Sequence, residues 1–232
     1  RNDVVIEIGP GTGNLTELIV SKKPKKIILI EKDQDLTKRL KKKYLNDLEI
    51  INKDFMDIND NYFRHEQLII FGNLPYNVSS QILIKIIGLQ FRNFKFKKLI
   101  LMFQKEVAER IIAQTNSKNY GRISIIAQWK MNIEKIMDIN PGCFYPRPKV
   151  NSSLLLFTPK KSFYPISNLK SLEHVTQIFF GYKRKMIKKP LNILFRNTEE
   201  ILKNTNISLN DRPQNITPIN YYKLANEFNL NN

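Results

Sequence analysis

The sequence contains one cysteine, Cys143, and two histidines, His65 and His174, in 232 residues. An internal disulfide is therefore impossible, and no Cys/His metal cage can be assembled. A reducing, cytoplasmic compartment and no metal are expected. No run of eighteen apolar residues occurs and no signal-peptide pattern opens the chain, so neither a helical membrane span nor secretion is expected. The first residue is Arg1 and a strand begins almost at once, which points to a missing N-terminal segment. Acidic residues are also scarce, 21 against 38 lysines and arginines, for a formal net charge of +17. Composition alone leaves the meaning of that charge open. Lysine, asparagine and isoleucine abound throughout, and scattered lysines on helix faces are commonly solvated surface. A charged fraction of 25% beside a hydrophobic fraction of 42% belongs to a folded globular chain. The length suits one large domain, or a large domain with a small companion.

Short β-branched runs alternate with amphipathic stretches over the first hundred residues. Strands are predicted at Asp3–Ile8, Lys26–Glu31, Leu48–Asn52, Leu68–Gly72 and Lys98–Phe103. Helices are predicted at 13–21, at 33–45 with Asp33 as N-cap, and at 79–89. This alternation calls for an α/β fold, a parallel sheet with helices on both faces. Gln104–Gln114 and Arg122–Lys130 read as helices, and Ile133–Ile139 and Ser152–Phe157 as strands around a proline-rich loop, 141–148. Beyond Thr158-Pro159 strand signals largely stop and short helices follow, punctuated by Pro190, Pro213 and Pro218. A domain boundary is expected near 160, giving domains 1–160 and 161–232. The densest basic cluster, Lys183, Arg184, Lys185, Lys188 and Lys189, lies in the second.

The chemistry-bearing residues sit at strand ends. Glu7-Ile8-Gly9-Pro10-Gly11-Thr12-Gly13 follows a strand and opens a helix, where glycines let backbone approach a ligand and helix N–H groups point at it. A dinucleotide fingerprint would need glycine at position 14, which is Asn14. The G-x-G-x-G spacing after an acidic residue instead fits the loop of S-adenosylmethionine-dependent methyltransferases. A glycine-rich turn without a ligand is the alternative for this motif alone. Glu31 ends the second strand, placed to accept from ribose hydroxyls. Asp54, beside Phe55 after the third, is placed to accept from an adenine amino group. The fourth strand runs into Asn73-Leu74-Pro75-Tyr76. The lone pair of an exocyclic adenine amine is delocalised into the ring. An amide oxygen from Asn73 and the Leu74 carbonyl, accepting its two N–H bonds, would favour a pyramidal nitrogen. Pro75 stiffens that turn, and Tyr76 offers a face on which an extruded base can stack.

The sequence resembles the small-subunit ribosomal RNA adenine N6-dimethyltransferases, the KsgA type, from Asp3 nearly to the C-terminus. The residues carrying the resemblance are EIGPGTG (Glu7–Gly13), Glu31, Asp54, NLPYNVSS (Asn73–Ser80), QKEVAERI (Gln104–Ile111), YGRIS (Tyr120–Ser124), FYPRPKVNSS (Phe144–Ser153) and GYKRKMIKKPL (Gly181–Leu191). The resemblance implies a Rossmann-like methyltransferase domain with a small C-terminal helical, RNA-binding domain. It also implies S-adenosylmethionine as cofactor and dimethylation of two adjacent adenines in the 3′-terminal hairpin of small-subunit rRNA. The implied partners are that rRNA and the immature small ribosomal subunit; a monomer is expected, although the sequence itself does not give the oligomeric state. Phe144 is then a second aromatic beside Tyr76. The cofactor set would be Glu7, Gly9, Gly11, Gly13, Glu31, Asp54, Phe55 and Asn73. Pro190 departs from the family pattern, falling where a helix usually continues. Large-subunit rRNA methyltransferases of the macrolide-resistance type share the NLPY-like and FxPxPKVNS-like segments and are the nearest alternative. A DNA adenine methyltransferase is more remote, and a ribosome-assembly factor with secondary or lost methylation is the non-enzymatic one.

Overall fold

The structure is a computed structural model that describes residues 2–45, 47–64, 68–91, 94–145 and 147–231. It divides into two compact units, residues 1–108 with 131–159, and residues 109–130 with 160–232.

The first unit is built on a sheet of seven strands among the described residues: β1 (Val4–Ile8), β2 (Lys26–Glu31), β3 (Glu49–Asn52), β4 (Leu68–Asn73), β5 (Phe96–Gln104), β6 (Met131–Ile139) and β7 (Ser152–Pro159). Their spatial order is β3-β2-β1-β4-β5-β7-β6. The first five are mutually parallel, while β7 runs antiparallel between β5 and β6. Strands buried on both faces need no alternation of polar residues, and β1 is buried at all five positions. Val5, Ile27 and Leu29 cluster with Ile19 of α1 (Asn14–Ser21) and Leu40 of α2 (Gln34–Tyr44). By the two-residue period Ile6, Ile28 and Ile30 face the other way, and they too are buried.

Helix α2 follows its sequence signals. The Asp33 carboxylate accepts from the N–H groups of Asp35 and Leu36, both at 2.8 Å. Lys41, Lys42 and Lys43 close α2, where cations meet the negative end of the helix dipole. All three lysines are exposed. α3 (Ser79–Phe91) leads into β5, and α4 (Lys105–Ile111) follows it. Among the described residues no helix is long and apolar enough to cross a membrane.

The second unit is helical: α5 (Arg122–Ala127), α6 (Leu169–Gly181), α7 (Lys188–Leu194), α8 (Thr198–Thr205) and α9 (Pro218–Leu230). Its core is aromatic. Tyr221 lies edge-on to Phe179 and stacks on Phe180, at 5.6 and 5.8 Å between ring centroids. Each buried phenol donates to a carbonyl, Tyr120 to Ile216, Tyr221 to Pro213 and Tyr222 to Ile125, as buried aromatic hydroxyls require. Burial pushes all three phenols well above their usual pKa. Residues 109–130, expected within the first domain, are part of this unit instead. The periodicity of a short helix shows which face is apolar but not which later segment covers it. Here that cover comes from residues near 216 and 222. Pro190 is the third residue of α7, inside the first turn, where a backbone N–H has no intrahelical partner to lose.

Candidate active site

The registers set the strand ends side by side. Ile8 pairs with both Ile30 and Gly72, Glu31 with Asn52, and Asn73 with Met102. The loops after β1, β2, β3 and β4 therefore leave one edge of the sheet. Gln104, at the end of β5, pairs with Ser152, which also pairs with Ile139. The β6–β7 connection carrying Phe144 thus starts and ends at the same edge. Ligands of open α/β sheets bind beyond the carboxyl ends of the strands. Every catalytic and cofactor residue expected from sequence stands at this edge.

Gly9, Gly11 and Gly13 all have positive φ, +68°, +60° and +84°, a backbone state that side chains disfavour. A β-carbon on Gly9 would stand 3.4 Å from the Asn73 carbonyl oxygen, and one on Gly13 3.0 Å from Leu40. A β-carbon on Gly11 would meet nothing within 4 Å, so the loop leaves open space above its middle. The buried Glu7 carboxylate accepts from the Thr16 hydroxyl at 2.7 Å, which ties β1 to α1 beneath the loop. Burial is the main cause that raises its pKa, against that hydrogen bond.

Glu31 is also buried, and its two oxygens accept from the N–H groups of Gly11 (3.1 Å) and Asp33 (2.9 Å). A carboxylate offers about four lone-pair directions, so two remain for hydroxyl donors. Asp54 accepts from Lys32 Nζ at 2.8 Å and from the Met56 N–H at 2.9 Å. The hydrogen bond from Lys32 is the largest cause holding its carboxyl below the usual pKa. Phe55 is buried edge-on against Phe63, 5.8 Å between centroids.

At the end of β4 two acceptors are uncommitted. The Asn73 side chain is exposed, and neither its amide nor the Leu74 carbonyl has a hydrogen-bond partner among the described residues. Leu74 itself is buried. The Tyr76 hydroxyl shares a 2.7 Å hydrogen bond with the Ser152 hydroxyl, and Ser79 Oγ donates to the Tyr76 carbonyl at 3.1 Å. The ring is therefore held at both ends. Phe144 is half-buried and makes no ring contact among the described residues. Pro146, within the motif Phe144–Ser153, lies outside the described residues.

No sequence signal assigns a role to three supporting residues, although Ser152 lies within the motif Phe144–Ser153. Lys85, in mid-α3, donates to the carbonyls of Phe55 (2.8 Å), Met56 (2.6 Å) and Ile58 (3.1 Å). Ser152 anchors Tyr76. Gly72 sits where any β-carbon would fall 2.6 Å from a Leu74 methyl and 3.0 Å from a Leu101 methyl. Its only advance sign was a glycine ending an apolar strand.

In the second unit Arg184, Lys185, Lys188 and Lys189 are exposed. Lys183 differs from them, because its Nζ donates to the Lys118 and Tyr120 carbonyls at 2.9 and 3.0 Å. Lys189 lies over the Tyr182 ring, 4.8 Å from its centroid.

Five parallel strands extended by an antiparallel pair, with a glycine loop and acidic strand ends on the carboxyl edge, are the S-adenosylmethionine-dependent methyltransferase fold. Residues 1–230 match the family model for ribosomal RNA adenine dimethylase. The ribosomal RNA small subunit methyltransferase A of Pelagibacter ubique (strain HTCC1062) is 51% identical over 227 residues, 98% of this chain and 87% of that protein. Its namesake from Wolbachia sp. subsp. Drosophila simulans (strain wRi) is 39% identical, covering 97% of this chain and 83% of that one. The crystal structure of a dimethyladenosine transferase from Plasmodium falciparum superposes with a TM-score of 0.78 at 29% identity, over 99% of this chain and 91% of that one. The 23S rRNA methyltransferase ErmE, at 19% identity and a TM-score of 0.64 over 98% of this chain and 91% of its own, shares the fold. The chain belongs to the ribosomal RNA adenine dimethylase family, whose members use S-adenosylmethionine.

Proposed function

We propose that this protein dimethylates N6 of two adjacent adenines in the 3′-terminal hairpin of small-subunit (16S) rRNA, on the immature small ribosomal subunit. The observation that carries the reading is the pair of uncommitted acceptors, the Asn73 amide and Leu74 carbonyl, at a strand end beside the glycine loop. S-adenosylmethionine, when bound, supplies an electrophilic methyl group. The open space above Gly11 and the free lone pairs of Glu31 fit such a cofactor. Gly9, Gly11, Gly13, Glu31 and Asp54 would hold it, with Asn73 at the reacting end and Glu7 and Phe55 shaping the loops beneath. Asn73 and Leu74 take the two N–H bonds of the adenine amine and turn its lone pair outward. Tyr76 and Phe144 hold the extruded base between them, and Pro75 fixes the turn. Orientation does most of the work, since a well-placed pair of reactants needs no acid or base of perturbed pKa.

The exposed Arg184, Lys185, Lys188 and Lys189 are proposed RNA contacts of the helical unit, and Lys183 a residue that shapes their loop. The single cysteine and the rRNA substrate support a cytoplasmic enzyme without metal.

The test incubates full-length enzyme with immature small subunits and S-adenosylmethionine. Primer extension should stop at the two adenines, and modification of large-subunit RNA or of duplex DNA instead would overturn the assignment. Binding of small-subunit RNA should weaken steeply with salt. Neutralising the four exposed cations should lower the log–log salt slope by up to about 3–4, and an unchanged slope would remove the cluster from the interface.

A further inference from the structure

Tyr145 is wholly exposed, at 101% of its reference surface, while its neighbour Phe144 is half-buried. The chain beneath it is fixed. Cys143 and Phe144 donate their N–H groups to the Asn140 and Pro141 carbonyls, and the Asn140 side chain accepts from Gly142. Ile139 and Ser152, flanking the connection, are register partners in the sheet. Arg147 and Lys149 follow at alternate positions, both exposed, and neither they nor Tyr145 has a hydrogen-bond or ion-pair partner among the described residues. Residues 140–151 include no acidic side chain. An open aromatic ring interleaved with unpaired cations is the make-up of a surface that takes single-stranded nucleic acid, by base stacking and phosphate contact.

Extruding a base also strips stacking from the base beside it. We propose that Tyr145 stacks on the nucleotide flanking the target adenine, with Arg147 and Lys149 meeting its phosphates. This rests on the methyltransferase reading above and adds a subsite next to Phe144. The ring replaces the stacking that the neighbour loses when the adenine leaves the helix, so Tyr145 favours capture of the extruded state without touching the reacting amine.

The test uses the full-length enzyme and an RNA hairpin with 2-aminopurine beside the target adenine, comparing wild type, Tyr145→Phe and Tyr145→Ala. Stacking in the wild type and in Tyr145→Phe should quench the probe. Tyr145→Ala should leave it bright and raise KM for RNA roughly 5- to 150-fold, with kcat and the KM for S-adenosylmethionine unchanged. Replacing the flanking base by an abasic ribose should abolish the difference between wild type and Tyr145→Ala. A bright probe on wild type, an unchanged KM in Tyr145→Ala, or a KM difference that persists on the abasic RNA overturns the inference. Quenching on the hairpin together with no methyl transfer by the wild type to immature small subunits would overturn the methyltransferase reading and leave the stacking subsite standing.

Discussion

Asn73→Ala is expected to lower kcat for methyl transfer by about 10²–10³-fold, the usual loss when one preorganised polar group is removed from a reacting centre. The affinity for S-adenosylmethionine should stay within a few-fold of wild type. The side chain ends β4 with its amide exposed and unpaired among the described residues, so truncation breaks no internal hydrogen bond. It leaves no cavity of the kind that destabilises a core. The loss therefore falls on orientation of the amine, where a single acceptor, the Leu74 carbonyl, would remain. Single-turnover rates with pre-bound cofactor, set beside calorimetric binding of S-adenosylmethionine, check both halves. Turnover equal to wild type would remove Asn73 from the mechanism. A parallel collapse of cofactor affinity would make it a cofactor residue first.

Asn73 was legible in the sequence because strand ends are. An apolar β-branched run that stops at Gly-Asn-Leu-Pro leaves little doubt about where β4 ends. In a parallel sheet, every strand that starts after a helix ends at the same edge. Gly9, Glu31, Asp54 and Asn73 could thus be brought together from chain order alone, and the observed registers do so. The two last strands were found as strands, but their antiparallel placement was not. Their connection is a loop rather than a crossover helix, and an apolar run carries no sign of its partner's direction. Residues 109–130 were placed in the wrong neighbourhood for a related reason, since their partners lie about a hundred residues away in the chain.

The basic cluster shows what charge counting misses. Lys183 stands in a run with Arg184 and Lys185, and nothing in composition separates them. In the structure its ammonium is committed to two backbone carbonyls, so substituting it would disturb the loop at 118–120 as well as the surface charge. Tyr145 is the reverse case. An aromatic in a proline-rich loop reads equally well as core or surface, and only its complete exposure marks it out.

Lys85→Met is expected to raise KM for S-adenosylmethionine about 10–100-fold while kcat at saturating cofactor falls much less. Nothing in the sequence flags this lysine, because the acceptors at 2.6–3.1 Å from its ammonium are backbone carbonyls. Three of them converge on its ammonium, from Phe55, Met56 and Ile58, the segment that begins beside Asp54. Methionine keeps the length and apolar stem of lysine but removes all three donors. Hydrogen bonds to a charged group contribute roughly 1.5–3 kcal/mol each. These carbonyls are partly reached by water, which offsets much of the loss, so a net cost of about 2–3 kcal/mol is expected, enough for a melting temperature several degrees lower. The kinetic signature separates positioning from mere destabilisation. A protein that is only less stable loses active molecules, lowering the apparent kcat and leaving KM alone. A displaced Asp54–Phe55 segment weakens the adenine end of the cofactor site and is overcome by adding cofactor. The Ser79–Tyr76 hydrogen bond at the start of α3 does not depend on Lys85, so the target-base side should keep its RNA affinity. A KM for S-adenosylmethionine equal to wild type in a folded Lys85→Met protein would show that the loop after β3 holds its shape without the lysine.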